Sequence, residues 1–304
     1  MAVLLAALAA FGMAASQVTV KRALHTNSVV GSLLVNMTVA WLVLVIAVAI
    51  RPPSSYSASS IGFFALSGLL APGVSRWASI TGVDRLGPSI AVSVLHGVRP
   101  TLAVLGAVIF LGESIGLPRM AGIAAIVLGV ASLARSRAGE RSLVVEGVDG
   151  GDPPTRARHT VFEPAIVFPM LAALSFAVAD VLIKRGLTTM PSPSFGAMVA
   201  IGTAVAAWSL AVSSVPKARR GLKLGSGFGW LVATGVFGGG GVLLFFHALE
   251  RGDVAIVSPI VAAQPLLVFL LSRLLLRGSE PIGPGTVLAG VLVVFGAVII
   301  SIYQ

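Results

Sequence analysis

Apolar residues fill this chain in long runs, broken by short polar clusters, rather than alternating with polar ones. A bilayer core about 30 Å thick needs about 20 apolar residues per helix. Read with that ruler, the runs predict ten membrane-crossing helices, near residues 2–20, 29–50, 60–82, 87–111, 117–135, 164–186, 193–215, 226–249, 254–276 and 282–303. The clusters RPPSSYSASS (51–60), PSPS (191–194) and PIGPG (281–285) fall between runs, where Pro and Gly interrupt a helix. The only long polar stretch is SRAGERSLVVEGVDGGDPPTRARHT, residues 136–160. Its mixed charges, Gly and Pro offer no apolar face to bury. The expected organisation is a five-helix unit over 1–135, a linker over 136–163 and a second five-helix unit over 164–304.

The opening run, LAAFGMAASQVTVKRAL (8–24), has the look of a secretory leader. It returns as LAALSFAVADVLIKRGL (171–187), with eight of seventeen positions identical, Lys21/Lys184 and Arg22/Arg185 among them. A weaker pair, LGPSIAVSVLHGVRPTL (86–102) and RGDVAIVSPIVAAQPLL (251–267), matches at Ser93/Ser258 and Pro100/Pro265, at an offset of 165 against 163 for the first pair. The first run is therefore read as a retained helix. Two homologous units with an odd number of spans must lie upside down relative to each other, the arrangement of inverted-repeat transporters. The fold expected is an all-α integral membrane protein, two inverted five-helix repeats around a central cavity.

Composition supports the membrane reading and narrows the chemistry. Only 11% of residues are charged and 56% are hydrophobic, whereas a soluble protein carries about 25% charged residues. The net charge of +10 fits loops facing anionic headgroups. No basic run interleaved with aromatics suggests a nucleic-acid surface. The absence of Cys removes disulfides and thiolate sites, and the four His lack metal-ligand spacing. No cofactor or metal is expected; the partners expected are a small-molecule substrate, the lipid bilayer and protons, in a monomer or homodimer.

A first helix ending in KRxL, a fourth with a central Pro followed by Leu, a Glu at its end (Glu113, level with Glu280) and a Gly-rich fifth helix form a pattern. It resembles the EamA-type branch of the drug/metabolite transporter superfamily, over nearly the whole chain except the linker. The resemblance implies a carrier of amino acids, nucleosides, other small metabolites or drugs, often an exporter, in the cell membrane with both termini inside. The Lys/Arg count points the other way. Fourteen fall in loops after odd-numbered helices and five, Arg51, Arg119, Lys184, Arg185 and Arg251, after even-numbered ones. The positive-inside rule then places both termini outside.

Polar groups within spans are costly and default to functional candidates. Arg99 falls at the midpoint of the fourth span and its repeat partner Gln264 at the midpoint of the ninth. Each precedes a proline, Pro100 or Pro265, that cannot donate to the carbonyl four residues earlier, so each helix should expose a free acceptor near the midplane. Ser93, His96 and Arg99 share one helix face. Asp180, the repeat partner of Gln17, is the only acid clearly inside a span. Three readings stand for it: a site for a substrate ammonium or a coupling proton, a local pair with Lys184 one turn on, or a standing pair with Arg99. His96 is a second proton candidate. Arg76, about one and a half turns from the centre of the third span, either joins the cavity or reaches the interface. His247 is expected in an interfacial network with Glu250 and Arg251, and Asn36 and Trp208 as packing residues.

Small residues at Gly122, Gly129, Gly285 and Ala289 suit close helix contact. The run Gly238–Gly241 should mark a tight crossing or a hinge, since each mid-helix glycine costs roughly 1 kcal/mol against Ala. The function expected is secondary transport of a zwitterion or weak acid, with rocking of the halves giving alternating access. A multidrug exporter of the same fold is the alternative. An intramembrane enzyme lacks its motifs, and a passive scaffold or lipid scramblase is disfavoured by Arg99 and Asp180.

Overall fold

Hydrocarbon offers a peptide group no hydrogen-bond partner, so apolar runs of this length satisfy their backbone internally as α-helices. The computed structural model describes residues 1–24, 26–86, 88–129, 132, 164–214, 225–276 and 284–302. The first half holds α1 (Ala2–Ala23), α2 (Val29–Ile50), α3 (Ala58–Gly68), α4 (Ser75–Leu86), α5 (Pro88–Gly106) and α6 (Leu117–Gly129). The second holds α7 (Val167–Thr189), α8 (Pro193–Ser214), α9 (Phe228–Arg251), α10 (Val254–Ala262), α11 (Gln264–Leu276) and α12 (Pro284–Ile302). Among the described residues, eight helical spans are long and apolar enough to cross a membrane, and two shorter apolar helices, Leu117–Gly129 and Gly290–Ile300, fall in the fifth and tenth expected spans. The linker and Glu280 lie outside the described residues.

Three spans are not simple rods. A π-helical turn, Leu69–Val74, carries Pro72 and joins α3 to α4. A second, Ala107–Leu111, ends the fourth span at Gly112, whose φ of 68° is the left-handed cap that glycine adopts without strain. The ninth span breaks at Ala263 into α10 and α11. Pro265 then lies in the first turn of α11, where its missing N–H is no loss, whereas α5 runs continuously through Pro100. The free-acceptor expectation thus takes two forms, a continuous helix in one repeat and a true break in the other.

Packing exchanges helices between halves. α1 lies chiefly against α9, with α10 and α11, while α7 lies against α3, α4 and α5. The glycine run is a crossing. A Cβ on Gly239 would come 2.8 Å from the Ala40 carbonyl of α2, and one on Gly241 2.8 Å from the Met13 amide of α1. Gly240 between them faces open space. Gly122 meets Gly296 of α12 backbone to backbone, a partner not expected from the sequence. Gly285 and Ala289 lie outside the residues whose side chains are described. Between α1 and α9, the Ser16 hydroxyl donates to the Thr234 carbonyl at 2.9 Å, and the Thr19 and Thr234 hydroxyls lie 2.9 Å apart.

Side chains close the helix ends and breaks. Trp208 donates through Nε1 to the Pro72 carbonyl at 3.0 Å, spanning from α8 to the first π turn. Lys184 does not pair with Asp180. Its ammonium donates to the Leu249 and Gly252 carbonyls, each at 2.8 Å, at the C-terminus of α9. Arg185 donates to the Phe110 carbonyl in the second π turn. Glu113 accepts from the Val254 and Ala255 amides at 2.9 and 3.0 Å, so its carboxylate caps α10 from the other repeat. Burial pushes the Glu113 carboxyl above its ordinary pKa, opposed by those two amides and by the Lys184 charge. Arg119 and Asp253 complete the cluster, 3.7 Å apart. At the start of α9, Asn27 and Thr26 accept from the Gly225 and Gly227 amides.

Two stability tests follow in detergent. Gly239→Ala should lower the unfolding midpoint, with an overpacking penalty of about 1–3 kcal/mol, whereas Gly240→Ala should be neutral or slightly stabilising; equal effects would refute the crossing. Lys184→Met should cost about 1–3 kcal/mol for the carbonyls it strands, with Lys184→Arg recovering part of the loss.

Candidate functional site

The interior polar site is assembled by α5, α7 and α10, which pack on one another in the middle of the protein. The first repeat supplies Arg99 from α5 and the second supplies Asp180 from α7 and Ser258 from α10. Arg99 Nη2 stands 3.6 Å from Asp180 Oδ2. The Ser258 hydroxyl donates to that same oxygen at 2.8 Å. The Arg99 guanidinium also lies over the ring of Phe176, 4.3 Å from its centroid, where the face of the π-system attracts a cation. Phe176 and Asp180 are four residues apart on α7, so one helix face supplies both the aromatic and the acidic partner.

Burial makes this pair consequential. Asp180 is 1% exposed and the Arg99 side chain 11%. A charge so placed is tolerable only when it is paired and hydrogen-bonded, and removing one partner strands the other. The pairing is incomplete on the Arg99 side. Among the described residues, Arg99 Nε and His96 Nδ1 are buried without a hydrogen-bond partner. They lie three residues apart, hence on one face of α5. Gly97 between them has no atom within 4 Å of where a Cβ would stand. Unsatisfied buried polar atoms are rare and call for a functional or strain-based explanation.

The other sequence candidates are distributed unevenly. Gln264 is buried, 8% exposed, at the start of α11 just after the Ala263 turn. It is in the interior but makes no hydrogen bond to the pair. Pro100 is buried within α5. Gln17 is exposed on α1 and Arg76 is exposed on α4, so the structure does not bring either to Arg99 and Asp180. The side chain of Ser93 lies outside the described residues. His247 bonds within its own helix, donating through Nδ1 to the Leu243 carbonyl at 2.9 Å. It takes no part in the Glu250–Arg251 pair.

Sequence reasoning missed Ser258 and Phe176. Ser258 left a usable signal, because it aligns with Ser93 in the repeat. A serine kept in both copies, on the helix that precedes the break, is a reasonable partner for a buried charge. Phe176 left none, since one aromatic in an apolar span is ordinary. No group of His, Asp and Glu suited to a metal ion occurs among the described residues.

Comparison with known proteins agrees with this architecture. In all, 28 chains of solved structures match. One, a crystal structure whose description names no function, has a TM-score of 0.72 at 20% identity, covering 99% of this chain and 96% of that one. At that identity the likeness establishes the fold. No curated protein matches. The EamA-like transporter family matches twice, over residues 1–135 and 163–302, once for each half. With two such units spanning nearly its full length, the chain belongs to the EamA-like transporter family.

Proposed function

We propose that this membrane transporter carries a small zwitterion or weak acid, such as an amino acid, and exports it across the cell membrane by alternating access. The observation that carries the reading is the ion pair of Arg99 and Asp180, held between the two repeats with hydrogen-bonding capacity left over on Arg99 and His96. A zwitterion presents both opposite charges at once. Its carboxylate would engage Arg99 and its ammonium Asp180, replacing an internal pair with two external ones. Neither charge is left unpaired during exchange, which is the state that burial forbids. The direction of transport rests on the family alone.

The architecture in this proposal is ten spans in two inverted five-helix repeats, 1–135 and 164–304, joined by the 136–163 linker. The reciprocal packing of α1 on α9 and of α7 on α3 and α4 supports it, because the first span of each half lies against the third-span position of the other. Proton coupling enters through Asp180. Protonation would release Arg99 to bind an anionic group, which links proton uptake to substrate exchange. The multidrug-exporter reading is weaker on the same geometry. A lipophilic cation needs an isolated acid, and here the guanidinium of Arg99 is 3.6 Å away.

Two experiments address these points. In proteoliposomes offered a panel of amino acids, weak acids and lipophilic cations, uptake or counterflow should be confined to the zwitterions and weak acids. Arg99→Gln and Asp180→Asn should each lower it at least tenfold and each destabilise the protein by about 3–5 kcal/mol, the usual result of breaking one side of a buried pair. The double variant should recover stability without recovering transport. If the double variant transports normally, the pair is structural. In the second experiment a pH gradient is imposed, and residual transport by Asp180→Asn should no longer respond to it. A persisting response would remove Asp180 as the proton carrier.

A further inference from the structure

Away from the interior pair, α3, α5 and α7 enclose a lateral groove of about 700 Å³, lined by apolar side chains including Leu105, Ile109, Leu174 and Val178. These four are among the exposed large hydrophobics of the protein. Asp180, Arg99 and Ser258 are not among the side chains that line it. It is therefore separate from the proposed substrate site.

The groove has a length and a polar end. On α7 its lining runs from Leu174 to Thr189, a rise of about 22 Å at 1.5 Å per residue, of which the apolar part, Leu174 to Leu182, spans about 12 Å. One leaflet of a hydrocarbon core about 30 Å thick is about 15 Å deep. Arg185 and Thr188 close the groove at one end and also line a second pocket of about 420 Å³, bounded by Ser114, Arg119 and Lys184. That pocket holds three cationic side chains against two acids, Glu113 and Asp253. The acids are engaged. Glu113 accepts from two backbone amides and Asp253 faces Arg119. Arg185 is exposed, donates from Nη2 to the Phe110 carbonyl, and lines the pocket.

We infer that the α3–α5–α7 groove and the adjoining Arg185 pocket together bind one anionic phospholipid, an acyl chain along Leu174–Val178 and the phosphate on Arg185. The match rests on two features: an apolar stretch that fits within one leaflet, and a net positive pocket at its polar end. Guanidinium–phosphate contacts are charge-assisted and often bidentate, and each buried methylene of the chain adds to the affinity. The headgroup so bound lies against the same cluster that caps α10 through Glu113 and α9 through Lys184. The lipid therefore stabilises the cluster that joins the two repeats at this end.

The test uses purified full-length protein, stripped of lipid in detergent, and native mass spectrometry. Phosphatidylglycerol and phosphatidylcholine of identical chains are compared as probes. Wild type should retain one phosphatidylglycerol with a preference of roughly tenfold over phosphatidylcholine, and its unfolding midpoint should rise with that lipid. Arg185→Gln should reduce the preference to near parity; a charge-assisted bond to phosphate is worth about that factor. Val178→Trp, which fills the groove without touching a polar group, should weaken retention of both lipids. Equal retention of the two lipids by wild type overturns the inference, as does an undiminished preference in Arg185→Gln. Displacement of the lipid by soluble glycerol phosphate at equal concentration would make the pocket a free-anion site, and would also overturn it.

Discussion

A helix that stops or breaks near hydrocarbon leaves backbone groups that lipid cannot satisfy, so protein side chains have to meet them. Much of what is distinctive in this structure answers that constraint. Trp208 takes up a carbonyl at the first π turn, Arg185 one at the second, and Lys184 two at the end of α9. Glu113 covers two amides at the start of α10. Every one of these contacts spans helices, and three of the four donors or acceptors are charged. Charges that a plain hydropathy reading would count as topology signals are here tied to helix ends.

That double use explains where sequence reading succeeded and where it stopped. Eight of the ten expected spans were legible because lipid imposes one simple rule on length and polarity, and the duplication because two copies retain KRxL. The Arg99–Asp180 pair was legible only as one of three alternatives. The competitor, Lys184 one turn from Asp180, had the favourable spacing, yet its ammonium goes to the Leu249 and Gly252 carbonyls. Local spacing could not reveal that, since the need for a donor at the α9 terminus arises from tertiary packing. Trp208 shows the same limit. Its span looks like any packing helix until the Pro72 turn is brought beside it.

The two halves have diverged in how they use the same letters. Lys184 and Arg185 both bind backbone carbonyls, whereas in the first repeat Lys21 is exposed and the Arg22 guanidinium lies 4.8 Å from the centroid of the Trp230 ring. Pro100 sits within a continuous helix and Pro265 follows a break. The buried acid occurs in one copy alone, and its repeat partner Gln17 faces outward. Duplication supplied two like units, and opposite charges were then placed in them, Arg99 in the first and Asp180 in the second.

The glycine contacts have a mechanical meaning as well. At Gly239 and Gly241 the backbone of α9 is locked against α2 and α1. On the other side, Gly68 of α3 meets the Ala200 carbonyl of α8, and the Phe64 ring fits between Gly186 of α7 and Gly196 of α8. Interlocked backbones do not slide without opening voids. Close backbone contact thus ties α1, α2 and α9 into one bundle and α3, α7 and α8 into another, each a mixture of both sequence halves. Between the bundles the Trp41 side chain of α2 covers Gly202 of α8, and the Phe64 ring of α3 lies 6.2 Å from that of Phe246 on α9. The gene's halves and the machine's halves are different objects.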